Sequence, residues 1–399
     1  MKKWLSLAAV VVLCLVLVIG IACGGGGEGE EEEAGVTELK WGIGIPLTGA
    51  AGAAVGVPAK YAFSMTAEKV GNFTVDGKQY RWKLIFEDNL FTVAGGTSST
   101  SKFIYEHNVD FMHQAGMDPG MAAVSVTEEL GMILDTAGAN YDVFRPDRPY
   151  FFQSSATWAL HVPAFLDWVT TEHPEVHRVA YNGSEDLTGK AVGDAIEAAC
   201  DYFGLEYDPY YSPIGTTEYM PVTTKIMANE PDLFVGGTNV YDLMVAMGYE
   251  GLAATHYWTD AGPEQVGWDR CEGYIIFLPH PIGTIWPEVT AFRAEYEDRY
   301  GLELTPAAWW AGNVIYFLTG ALEAAGTVTD MEKIAATMET EKFDTMIGPI
   351  GYGLEEINGI GHVSIYPTPI LQVVGEMEYE LLKMYTPEET EAIAVEVFK

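Results

Sequence analysis

The sequence predicts an α/β protein of two doubly wound, Rossmann-like lobes joined by three hinge crossings. Three observations predict it. Short apolar strands alternate with helical segments from Leu39 onward, the pattern of parallel sheets covered on both faces. The alternation restarts after the loop holding Pro146 and Pro149, so two sheets are expected rather than one. A helical block without strands then follows, and such a block must cover a sheet already made.

The elements follow in order. Leu39–Pro46 is a strand with a Gly-rich end, the small-residue run 48–56 a loop, and Val57–Val70 a helix. Gly77-Lys78 separates two strand-like arms, 73–76 and 80–87, as a hairpin turn does. Val93–His107 is helical. Val109–Gln114 reads as a strand, Ala115–Gly120 as a turn opening a helix, and Gly131 as its stop. Met132–Thr136 is the next strand, followed by the small-residue loop Ala137–Tyr141. Strand, turn, helix, strand implies a right-handed parallel crossover with both loops at one sheet edge, where open α/β sheets bind ligands.

In the second half, helices are expected at 158–171, 188–203, 221–229 and 240–248. Strands are expected at 178–181, 206–211, 232–236, 255–260 and 274–278. Helices at 287–300, 306–325 and 330–339 form the strandless block, and the tail returns to strands at 362–366 and 368–374 before a last helix near 387–397. The expected lobes are residues 37–154 plus 283–346, and 155–282 plus 347–399. The crossings fall near 152–156, 278–284 and 347–353, each rich in Gly, Pro or small residues, as hinges often are.

Lys2-Lys3 and the apolar run Trp4–Ala22 read as an export signal. Gly20-Ile21-Ala22-Cys23 resembles the lipobox of bacterial lipoproteins, which makes Cys23 the acylated residue; an uncleaved membrane anchor is the other reading. Both place the body outside the cytoplasm. Residues 24–36, almost all Gly and Glu, make a self-repelling tether. Of four Cys, Cys14 lies in the signal, and Cys200 and Cys271 lie in the body as a disulfide or two buried thiols. The net charge of −36 makes a surface that repels nucleic acid and anionic lipid headgroups, and no nucleic-acid partner is expected.

No enzyme signature is present. Gly42-Ile43-Gly44 lacks the third Gly of a dinucleotide fingerprint, and no phosphate loop or nucleophile elbow occurs. His173 and His177 are interrupted by Pro174, so they form no metal helix. Asp186 precedes a helix, where an acid favours the dipole. Asp260 is expected to end a strand at the carboxyl edge of the second lobe, facing the Ala115–Gly120 turn across a cleft.

Leu39–Gly49 (Leu-Lys-Trp-Gly-Ile-Gly-Ile-Pro-Leu-Thr-Gly) resembles the opening of the leucine/isoleucine/valine-binding proteins of ABC importers, and Ile347–Gly351 resembles their last crossing. The resemblance covers roughly residues 38–374 and implies the periplasmic binding protein type I fold. It implies a monomeric, cofactor-free receptor that closes on a small solute and delivers it to a membrane permease, making and breaking no bond. The family's carboxylate-binding hydroxyl is replaced here by Met117 and Asp118. Its Gly-Ala-Thr loop becomes Gly138-Ala139-Asn140, and its aromatic before the first helix becomes Val55. Asp260 matches the acid that holds a ligand's ammonium, and Thr188 and Asn239 stand where the family often has Tyr. Trp158, Tyr241 and Trp258 are expected as apolar walls. These departures favour an amine, amide or neutral polar solute over an α-carboxylate. A sensor of the same fold that signals to a partner protein is the alternative, and a secreted enzyme the more distant one.

Overall fold

Two sheets organise the chain. A separate two-stranded ribbon pairs Phe343–Thr345 (β12) with Gly348–Ile350 (β13). In the first sheet, Tyr352–Gly353 (β14) is the edge, Val363–Ser364 (β15) lies next to it, and Phe151–Gln153 (β6) lies beside β15. Leu134–Ala137 (β5), Phe111–Ala115 (β4), Val36–Ile45 (β1), Lys78–Asp88 (β3) and Asn72–Val75 (β2) follow in that spatial order. The second runs Glu378–Tyr385 (β17), Thr368–Gly375 (β16), Ile275–Ile276 (β11), Leu252–Thr255 (β10), Leu233–Val235 (β9), Arg178–Ser184 (β7) and Glu206–Ser212 (β8). The computed structural model describes residues 35–399 apart from 214, 281, 283 and 284. The export signal, Cys14, Cys23 and nearly all of the tether lie outside these residues, as does part of the second crossing. Residues 37–399 form one compact unit. No described helix is long and apolar enough to cross a membrane.

The expected crossover is present: β1, β4, β5 and β6 are parallel neighbours, with His113 in register with Ile43 on one side and Asp135 on the other. β4 is buried along its whole length, as a central parallel strand should be. β2 and β3 close through Asp76-Gly77, both at positive φ (48° and 73°), the requirement of a type I′ hairpin. Helix Val57–Val70 starts after a π turn, Gly52–Gly56. A Cβ on Gly56 would stand 1.4 Å from the Pro46 carbonyl oxygen, so only glycine lets the helix start so close to the end of β1.

Helix Pro306–Ala325 is apolar on nearly every side and nearly wholly buried against helix Val57–Val70, as an all-round hydrophobic helix must be. The strandless block therefore covers the first sheet. In the second lobe, helix Leu187–Phe203 packs an apolar face on helix Trp158–Glu172. Cys200 and Cys271 are free and buried, and burial pushes their thiols up to about 12 and about 11.

Two expectations need correction. The third crossing does not fall at 347–353. Tyr352 and Gly353 pair with Ser364 and Val363, and Val363 pairs with Gln153, so this stretch extends the first sheet. Ile350, Val363 and Ile365 are buried, and that apolar surface holds the segment in the first lobe. The chain enters the second sheet only at Thr368. The strand expected at 255–260 ends instead at Thr255. His256 to Thr259 form a loop, and Asp260 stands before the short helix Ala261–Val266. The last strand, β17, was not anticipated; its exposed positions mix Glu378 and Glu380 with Leu381 and Leu382.

Candidate functional site

A cavity of about 290 Å³ lies between the lobes, at the carboxyl ends of the parallel strands. The first lobe supplies Ile45, Phe63, Phe91, His113, Gly116 and Gly138, and the late helix adds Ala307, Trp310 and Val314. Ser155 and Trp158 come from the crossing, and Ser184, Asp186, Thr188 and Tyr257 from the second lobe. The wall is mostly apolar with a few polar groups, the usual character of a small-molecule site.

Aromatic rings form one side. Trp158 lies 5.4 Å from Tyr257 and 5.8 Å from Trp310, tilted rather than stacked. Behind them, burial pushes His256 down to about 3 and His280 to about 4, so both rings stay neutral. Burial also raises the Tyr257 phenol well above its ordinary range.

Phe91 is aimed by strain. Leu90 and Phe91 both adopt left-handed backbone, at φ 52° and 58°, which costs about 1–2 kcal/mol per residue. Side chains hold the pair there. Leu90 N–H donates to Asp88 Oδ1 (2.9 Å) and Phe91 N–H to Asn89 Oδ1 (3.0 Å). Asn89 is itself fully buried, its Nδ2 donating to the carbonyls of Gly44 (3.0 Å) and Ala115 (2.9 Å). The ring then lies over Gly116, where a Cβ would come within 3.0 Å of it and φ is 92°. Such strain concentrates at functional sites.

Two ionisable side chains bring acid–base character to the wall. Asp186 caps helix Leu187–Phe203: its Oδ1 accepts from Gly189 N–H (2.8 Å) and from Ser184 Oγ–H (2.6 Å). His113 is 2% exposed, with Nδ1 2.6 Å from Asp135 Oδ2. Asp135 Oδ1 accepts from Ser154 N–H at 2.8 Å. Ser155 Oγ and Trp310 Nε1 are buried without a partner among the described residues. No described group of three or more His, Cys, Asp or Glu is placed to hold a metal.

Of the residues singled out in the sequence, Gly138, Trp158 and Thr188 stand in the wall, and so does Val55. Met117 packs behind Gly138, its Cε 3.0 Å from where a Gly138 Cβ would be. Asp118 is half-buried in the first turn of helix Met117–Leu130 and outside the wall. Ala139 is buried in the second lobe's core and Asn140 is buried with an unpartnered Oδ1. Asn239 lines a neighbouring pocket that shares Tyr257, and Trp258 lines the same one. Tyr241 packs edge-on against Tyr274 at 4.9 Å, within the second core.

Asp260 is also outside the wall. Its Oδ2 is 2.5 Å from Arg293 Nη2, its Oδ1 accepts from Tyr379 O–H at 3.0 Å, and its backbone N–H donates to Glu303 Oε1 at 2.8 Å. Each carboxylate oxygen already has a protein partner. The wall residues His113, Phe91, Ser155, Tyr257 and Trp310 were not singled out, and Asp186 was read as a cap alone. His113 carried a signal: a histidine in an otherwise apolar central strand.

The family described as Periplasmic binding protein matches residues 38–367. None of the curated proteins is significantly similar to the chain. A leucine-binding protein from Thermotoga maritima superposes with a TM-score of 0.71 at 18% identity, covering 88% of this chain and 99% of its own. A solute-binding protein of an ABC transporter from Rhodopseudomonas palustris, solved with 3,4-dihydroxybenzoic acid, gives 0.73 at 18% identity, covering 88% and 98%. An amino acid ABC transporter substrate-binding protein from Pseudomonas fluorescens gives 0.72 at 15%, covering 89% and 98%. Identities this low establish the shared fold.

Proposed function

The chain belongs to the periplasmic binding protein family, and on that premise we propose that it captures a small organic solute between its lobes and presents it to an ABC permease. Members of the family bind solutes outside the cytoplasm and are not enzymes. The observation that carries the proposal is the cavity itself: an aromatic, mostly apolar chamber walled by both lobes at the strand ends. A solute there touches both halves at once, so it stabilises the closed form over the open one.

Relatives that bind leucine and 3,4-dihydroxybenzoic acid share the fold. We take the solute here to be of that kind, small, with an apolar body and one polar end. Gly138, Trp158 and Thr188 contact it, and Asn140 and Asn239 stand outside the first layer. Cys23 carries the lipid that holds the receptor, working as a monomer, at the membrane.

A thermal-shift screen over amino acids, amides, polyamines and aromatic acids tests the reading. A ligand at a hundred times its Kd adds about 2.7 kcal/mol of stability, and X-ray scattering should show compaction on binding. A chain that no compound stabilises, and whose scattering never changes, is not such a receptor.

A further inference from the structure

Resting on that reading, the wall also says what kind of solute it takes. No lysine or arginine is among the described wall residues, and the acid in the wall, Asp186, already accepts from Gly189 N–H and Ser184 Oγ–H. An α-amino acid would therefore find no fixed cation for its carboxylate and only a capping acid for its ammonium. The group without an assigned task is His113.

His113 and Asp135 sit opposite each other on adjacent parallel strands, so their side chains share one face of the sheet. Asp135 is 4% exposed, and one of its oxygens is taken by the Ser154 amide. Its other oxygen is met by His113 Nδ1, which must therefore carry a hydrogen and donate. That contact fixes the ring and leaves Nε2 as its remaining polar atom. No hydrogen bond to Nε2 forms among the described residues, although His113 is in the cavity wall. A carboxylate behind an imidazole stabilises the imidazolium and sets the orientation of its outer N–H. Among the described residues, the elements packed around the ring offer no competing cation. β1 presents Ile43, and helix Val57–Val70 presents Phe63, edge-on at 5.2 Å. Tyr352 and Tyr366, which bond to Ser154 on the far side of Asp135, are held protonated by burial. Asp186 and Tyr257 face the cavity from the second lobe.

Two helices also begin at this wall without a side-chain cap: Met117–Leu130 behind Gly116, and Trp158–Glu172. The first turn of Trp158–Glu172 holds no acid, so its N–H groups favour an anion, whereas Asp118 already occupies the first turn of Met117–Leu130.

We propose that His113, backed by Asp135, is the anchor for the carboxylate of an apolar, ring-sized organic acid that lacks an α-ammonium group. The acid's carboxylate accepts from the outer ring N–H, while Asp135 accepts from Nδ1–H. Phe63, Phe91, Trp158 and Trp310 surround the body of the acid.

The test is calorimetry on the full chain in detergent, with benzoate, phenylacetate, benzamide, benzylamine and phenylalanine as probes. Benzoate or phenylacetate should bind at least tenfold more tightly than benzylamine, benzamide or phenylalanine. His113→Asn keeps a donor facing Asp135 but has no Nε2. It should melt close to the native chain, lose at least tenfold in benzoate affinity and leave the weaker benzamide binding unchanged. Tightest binding of benzylamine or phenylalanine overturns the proposal and leaves the solute-receptor reading intact. So does benzoate binding that His113→Asn does not change. Absence of binding by all five probes overturns it too, and the receptor reading then stands or falls on the wider screen alone.

Discussion

Asp260 and Arg293 join the two lobes directly, carboxylate to guanidinium at 2.5 Å, with side chains only 8% and 14% exposed. Asp260 stands beyond β10 of the second sheet. Arg293 is on helix Pro287–Tyr300, which is pinned to the first lobe through Tyr296 O–H donating to the Pro58 carbonyl at 3.0 Å. Removing one member leaves a nearly buried charge alone, which typically costs about 3–5 kcal/mol. Arg293→Met should therefore lower the unfolding free energy by roughly this amount and raise the radius of gyration of the ligand-free protein. Denaturant titration and X-ray scattering measure the two; a stable variant with unchanged dimensions would show that the pair does not hold the lobes together.

Glu303 takes part in the same contact, and burial, ahead of the nearby Asp260 charge, holds its carboxyl above the ordinary 4.5. A raised folded pKa means that the folded state binds the proton more tightly. Stability from this group is then complete below the unfolded value and is lost as pH rises through the folded one. Glu303→Gln keeps an acceptor for the Asp260 amide and never ionises. It should raise the melting temperature at pH 7 and leave it nearly unchanged at pH 4. Equal shifts at both pH values would contradict the assignment.

Asn89 holds up the strained loop under Phe91. Asn89→Ala strips two buried carbonyls of their donor and frees Phe91 from its left-handed conformation. A loss of about 2–4 kcal/mol is expected from the orphaned groups, along with a marked loss of ligand affinity. Calorimetry against the native chain reads the second effect. Full affinity in a destabilised variant would mean that the Phe91 ring is not part of the wall.

Cys200 and Cys271 should resist a thiol reagent at pH 8, because burial keeps both as thiols. Labelling should follow global unfolding in urea. Rapid labelling in native buffer would expose an opening motion of the second lobe.

The lobes were legible in the sequence because strand and helix periods alternate cleanly and the restart follows two prolines. The third crossing was misplaced because Gly348-Pro349-Ile350 has hinge-like composition, whereas its assignment depends on where Ile350 and Val363 find apolar partners. The site was less legible. Gly138, Trp158 and Thr188 follow from loop position alone, since strand ends and first helical turns face the cleft. Trp310 and Tyr257 enter the wall through packing between segments far apart in the chain. Asp260 was placed by resemblance, and its carboxylate is taken by Arg293, a residue 33 positions away that no local pattern connects to it.

Strands β6 and β15 are adjacent, and the chain leaves the first lobe from both. Ser364 Oγ–H donates to the Ser155 carbonyl at 3.0 Å and Tyr366 O–H to the Ser154 carbonyl at 3.0 Å. Past the gap, His161 and Thr368 meet at 2.7 Å. Two connections stitched together on both banks act like the spine of a book. The covers swing about one line, while sideways slip or twist would first have to tear the binding.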